Sequence, residues 1–151
     1  MHGQRVLVTG GAGFIGSNLA NHLATENTVI AVDDGHLGTP NHLDAAVEFH
    51  ERSVLEPDLP VEDVDVVFHL AAYSSYTMVE EAKQEATRVN VEGFVNVVEQ
   101  ARRAGCRQIV YASTSSIYGS QTEPSSEAMP VTVRTAYEAS KRAREVYAEY
   151  F

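Results

Sequence analysis

The apolar positions change period twice within the first 34 residues. Residues 4–9 (QRVLVT) are a short β-branched run with Gly10 directly behind it, the pattern of a strand buried on both faces and closed by a glycine turn. From Phe14 onward, Ile15, Leu19 and Leu23 recur at four-residue steps and put one apolar stripe on a helix that ends near Thr25. Residues 28–32 (TVIAV) form a second buried run, which ends in Asp33 and Asp34. Strand, helix and strand in that order make a βαβ unit.

The alternation continues to the end of the chain. Two glycines and a proline in residues 35–41 (GHLGTPN) predict a loop with at most a short helix behind it, and residues 47–50 a weak third strand. Residues 65–70 (DVVFHL) are a strong fourth strand after a stretch punctuated by Pro57 and Pro60. From Val79 through Ala82, Ala86, Val89, Phe94 and Val97 to Ala101 the apolar positions advance mostly by threes and fours, which predicts one long helix ended by Gly105. Residues 108–112 (QIVYA) are the fifth strand. Residues 118–134, rich in Ser, Thr, Glu and Pro, form a long loop of the kind that carries function. Residues 136–151 close as a charged helix with Ala143, Tyr147 and Tyr150 along one side. Strands alternating with helices predict an α/β fold, a Rossmann-type doubly wound parallel sheet with right-handed crossovers.

Composition narrows the setting. At 151 residues and 44% hydrophobic, the chain has the material for one domain with its own core, which excludes a disordered tail. No apolar run approaches the roughly 20 residues that span a bilayer, and the first strand begins too near Met1 to leave space for a signal peptide, so a cytoplasmic protein is expected. Cys106 stands alone and reads as a small buried hydrophobe, with no disulfide framework or cysteine-based metal site. His2, His22, His36, His42, His50 and His69 show no metal-ligand spacing. With 21 acidic residues against 11 basic ones the formal charge is −10, which excludes nucleic acid and anionic membranes as partners. Lys83 and Lys141 are the only lysines. Such a surface fits a high-salt cytoplasm or simply an acidic, soluble protein.

Two motifs carry chemistry. The turn TGGAGFIG (residues 9–16) lies between the first strand and the first helix, where Gly10, Gly13 and Gly16 permit a tight turn and close approach of backbone to phosphate at a helix N-terminus. Glycine-rich turns also occur for structural reasons alone. Here Asp33 ends the second strand 17 residues after Gly16, where a carboxylate accepts hydrogen bonds from the adenosine ribose and repels a 2′-phosphate, favouring NAD over NADP. Asp34 reads as a solvated turn residue. In YEASK (residues 137–141) the i, i+4 spacing puts Tyr137 and Lys141 on one helix face, where an ammonium favours a phenolate. A free tyrosine has a pKa of about 10, so base catalysis near neutral pH needs such help. The spacing alone also fits a surface pair; its weight comes from the hydroxyls of residues 113–116 (STSS) at the carboxyl end of the fifth strand.

Taken together and in this order, TGGAGFIG, Asp33, HLAA (residues 69–72), Asn90 within VNVEG, ASTSSIYG (residues 112–119) and YEASK resemble the extended short-chain dehydrogenase/reductase family, in its NAD-dependent nucleotide-sugar epimerase/dehydratase branch. The motifs span nearly the whole chain. The resemblance implies that Gly10, Gly13, Phe14, Ile15 and Gly16 surround the pyrophosphate of NAD, that Asp33 holds the adenosine ribose, and that Leu70, Ala71 and Ala72 line the cofactor side of the fourth strand. Tyr137 falls on the general base and Lys141 on its partner, which also holds the nicotinamide ribose. Thr114 falls on the catalytic Ser/Thr position. Asn90 is either a brace near the cofactor or an ordinary polar contact.

Two departures matter. Where the family commonly has an aspartate near the adenine, this chain has Arg52-Ser53-Val54, so Ser53 or the backbone at Val54 is expected to serve there. The branch's dehydratases carry an Asp-Glu pair directly after the catalytic threonine; Ser115 and Ser116 stand there instead, which argues against elimination. The implied function is that of an epimerase of the UDP-hexose 4-epimerase type, with a nucleotide sugar as substrate, NAD regenerated in each turnover, and a homodimer as a common family assembly. Family members are longer, so residues 1–151 are expected to be the NAD-binding and catalytic portion, without the carboxyl-terminal substrate-binding part. The rivals are a non-catalytic NAD-binding module and a sugar-nucleotide dehydrogenase or reductase.

Overall fold

The β-branched runs assemble into a single sheet in the computed structural model, which describes residues 1–120 and 122–151. Its strands are β1 (Arg5–Thr9), β2 (Thr28–Asp33), β3 (Val47–Glu51), β4 (Val66–His69) and β5 (Gln108–Tyr111), all parallel, in the order β3-β2-β1-β4-β5. Direction of travel reverses between β1 and β4, and at that switch point the carboxyl ends of the strands open a crevice.

Each strand feeds both faces because successive side chains point to opposite sides. Val6, Val8, Val29 and Ala31 pack beneath helix α1 (Phe14–Leu23), while Leu7, Ile30, Val32 and Val67 pack against Val89, Val97 and Ala101 on the other face. Near-complete burial of these strands makes them continuous apolar runs, and that is why the sequence pattern finds them.

The helices depart from the pattern in three places. α1 buries Gly16, Ser17 and Ala20 rather than the Ile15 stripe, and Ile15 is exposed. Small residues let the helix lie close to β1 and β2, which leaves Ile15 outside while Leu19 is half-buried and Leu23 packs against the core from the end of the helix. The expected single helix over residues 79–101 is instead α2 (Tyr76–Glu81), α3 (Lys83–Thr87), a π turn (Arg88–Glu92) and α4 (Gly93–Arg103). Ala82, at φ −132° and ψ 47°, leaves helical geometry and breaks the register, and the wide turn at residues 88–92 adds a residue to the cycle.

The last helix, α5 (Ala136–Tyr150), forms where it is expected, but the side that carries Tyr147 and Tyr150 is exposed, and its buried residues are Glu138, Ser140, Lys141 and Arg144. Its start is set by Thr135, whose hydroxyl accepts from the Glu138 N–H, and by the Glu138 carboxylate, which accepts from the Thr135 N–H. That capping box contributes about 1 kcal/mol and fixes the height of Tyr137 above the sheet. No helix among the described residues is long and apolar enough to cross a membrane.

Candidate active site

At the switch point, the turn after β1 is built around backbone. Gly10 has φ +70°, and a Cβ there would lie 2.6 Å from the Ala71 nitrogen, so the chain leaving β4 sits directly against the turn. A Cβ on Gly16 would run into the Gly10 carbonyl oxygen. α1 follows Gly13, an N-cap without a side-chain bond, and Phe14 and Ile15 are exposed at the positive end of the helix.

Asp33 closes this region from β2. Its carboxylate accepts from Ala12 N–H at 3.1 Å and Gly35 N–H at 2.9 Å, which orients it beside the turn. Asp34 is an exposed turn residue that accepts from His36 N–H. Ser53 sits just past β3, its N–H donating to Glu56, while Val54 is buried in the core and its carbonyl accepts from Asn96. Leu70, Ala71 and Ala72 follow β4 and are half-buried.

On the other side of the crevice, Tyr137 and Thr114 line one cleft of about 440 Å³, with Ser74, Ser75, Ser116 and Glu123. The Thr114 hydroxyl caps the short 3₁₀ turn at Ser115–Tyr118 and lies 2.9 Å from the Ser116 hydroxyl. The Lys141 ammonium lies 5.8 Å from the centre of the Tyr137 ring and donates to the Ala112 carbonyl at 3.2 Å. Burial, with the charge of Arg144 behind it, pulls the pKa of Lys141 down to about 7.

Asn90 joins the segment after β4 to α5. It is fully buried; its Oδ1 accepts from Tyr73 N–H, and its Nδ2 donates to the Tyr73 carbonyl and the Ser140 hydroxyl. Sequence reading overlooked Ser140, Arg144 and Glu123. Polar residues on a charged helix read as solvent-facing, and Glu123 lies in a loop with no periodicity.

A crevice with an uncapped helix N-terminus on one wall and a tyrosine-lysine pair on the other has the plan of a dinucleotide-binding α/β fold. A family model described as "NAD dependent epimerase/dehydratase family" matches residues 6–151, and the chain belongs to that family. It is 38% identical to a UDP-glucose 4-epimerase of Mycolicibacterium smegmatis, over 95% of this chain and 50% of that protein. It is 36% identical to UDP-glucuronic acid decarboxylase 6 of Arabidopsis thaliana, over 94% of this chain and 44% of that protein. Among solved structures, a Thermus thermophilus UDP-glucose 4-epimerase in complex with NAD superposes with a TM-score of 0.89 at 33% identity, covering 97% of this chain and 50% of that one. The chain therefore spans about half the length of the curated relatives it matches.

The family's cofactor fits the cradle. Gly10 and Gly16 occupy positions where any Cβ meets backbone, and the N-terminus of α1, without a side-chain cap, complements a pyrophosphate. Gly16→Ala is expected to cost about 3 kcal/mol through overpacking and to weaken NAD binding, read by thermal melts and calorimetric titration. Unchanged values for both would remove the close approach as a requirement of the cradle.

Proposed function

We propose that this chain is the NAD-binding and catalytic portion of a nucleotide-sugar epimerase of the UDP-hexose 4-epimerase type. The observation that carries the reading is the shared cleft of Thr114 and Tyr137, with Lys141 buried against the tyrosine ring. NAD, when bound, supplies a reversible hydride acceptor. The turn at Gly10, Gly13, Phe14, Ile15 and Gly16 would hold its pyrophosphate, Asp33 its adenosine ribose, and Leu70, Ala71 and Ala72 its flank, with Ser53 and the Val54 backbone toward the adenine. Asn90 supports that flank through Tyr73.

Tyr137 takes the proton from a sugar hydroxyl and returns it after the ketone has turned over. Lys141 places its ammonium beside the phenol ring and holds the nicotinamide ribose. Thr114 donates to the reacting oxygen, oriented by its contact with Ser116. No carboxylic acid follows Thr114, so loss of a leaving group finds no proton donor at Ser115 or Ser116.

The second reading is a module that binds NAD without turnover, for which the cradle at Gly10 and Gly16 suffices. Both are separated by supplying NAD with UDP-glucose, UDP-galactose or UDP-glucuronic acid and following products by NMR. Interconversion of the two hexoses is the expected result. Carbon dioxide release from the glucuronic acid alone moves the assignment to a decarboxylase, and NAD binding with no product to the module.

A further inference from the structure

Arg144 is the largest fully buried side chain among the described residues. Burying a guanidinium costs several kcal/mol unless a carboxylate and full hydrogen bonding offset it. Arg144 forms no ion pair among the described residues. Nε donates to the Asn90 carbonyl at 2.6 Å, Nη2 to the Ala71 carbonyl at 3.0 Å, and Nη1 has no partner. The guanidinium lies over the Phe94 ring at 5.9 Å, and the edge of His69 meets the same ring. A buried, carboxylate-free cation is a poor stability device, which leaves function as its physical rationale.

The carbonyls that it grips are informative. Ala71 is the residue pressed against Gly10, and Asn90 is the residue that joins Tyr73 to Ser140. Tyr137, Lys141 and Arg144 follow at i, i+4 and i+7 and so share one face of α5.

We propose that Arg144 is a positioning residue of the site: it ties the face of α5 that carries Tyr137 and Lys141 to the exit of β4 and to the π turn, and sets a permanent positive charge behind Lys141. This rests on the reading of Tyr137 and Lys141 as the reacting pair. The charge that bears on Lys141 is that of Arg144 on its own helix; the Tyr137 ring lies beside it, His69 of β4 feels its charge in turn, and past the end of β5 it donates to the Ala112 carbonyl. Burial, then the charges of Arg144 and Lys141, holds the His69 pKa well below the usual histidine range, so His69 adds no positive charge near neutral pH. Arg144 is the remaining cation, and burial leaves its own pKa at about 10, still charged at neutral pH.

Two lysines make the test direct. With carbon-13 at lysine Cε, the NMR spectrum carries one signal for Lys83 and one for Lys141, titrated with and without NAD. Without NAD, the Lys141 midpoint is expected near 7 in the wild type and about one pH unit higher in Arg144→Met. Arg144→Lys, whose new side chain adds a third signal, keeps the low Lys141 midpoint, and Lys83 does not move in any variant. In Arg144→Met the alkaline limb of the pH profile of kcat/KM, where the Lys141 ammonium is lost, moves up alongside. An unmoved Lys141 midpoint in Arg144→Met overturns the proposal. If that variant does not fold, Arg144→Gln, neutral but still a donor, is titrated instead, and failure of both to fold while Arg144→Lys folds assigns Arg144 to the fold alone. The epimerase reading fails separately, through absent turnover in the wild type, with the lysine titration intact.

Discussion

Tyr137→Phe is expected to lower turnover of a UDP hexose by about 10³-fold while NAD affinity stays close to that of the wild type. The substitution removes one hydroxyl and keeps the ring that lies beside the Lys141 ammonium, so α5 keeps its place and the cofactor cradle across the crevice is untouched. Only the proton acceptor is lost. Product formation followed by NMR and NAD binding followed by calorimetry separate the two effects. Retained turnover would remove Tyr137 from the base position. Loss of NAD binding together with turnover would instead show that the tyrosine holds the cofactor.

Lys141→Met is expected to abolish turnover and yet stabilise the cofactor-free protein at pH 7. The sign follows from the lysine's environment. Its pKa falls from 10.5 to about 7 in the folded chain, so between those values the unfolded chain binds the additional proton and stability rises with pH. Below pH 7 both states are protonated and folding carries the whole burial cost; above 10.5 both are neutral and the cost vanishes. At pH 7 that cost is about 4 kcal/mol, equivalent to a melting temperature about 10 °C higher for the methionine variant. The wild type gains on the variant as pH rises from about 7 to about 9. Melting curves at several pH values check this, and a variant no more stable than the wild type at pH 7 would contradict it.

The parts of this protein that were legible in its sequence are those where chemistry repeats. β1, β2 and β4 are enclosed on both faces, so each appears as an unbroken apolar run, and the turn at Gly10 and Gly16 needs residues without a Cβ. Asp33 was legible because its place is set by the length of the βαβ unit. α5 was misjudged for the opposite reason: its inward face is Glu138, Ser140, Lys141 and Arg144, and a polar face is taken for a wet one. Thr135 and Glu138 did carry a readable signal, the Thr-x-x-Glu spacing of a capping box. The break at Ala82 carries none, since the apolar spacing passes through it undisturbed, whereas the π turn leaves one trace, the five-residue step from Val89 to Phe94 among threes and fours.

The inward face of α5 has a practical consequence for engineering. Directed evolution that selects heat-resistant clones without a ligand present would collect apolar replacements at positions 141 and 144, because each relieves a desolvated charge. Such clones would be robust and inert. A screen run with NAD and a nucleotide sugar in the medium would reverse that ranking, since bound ligand restores value to the cations that the empty fold keeps at a loss.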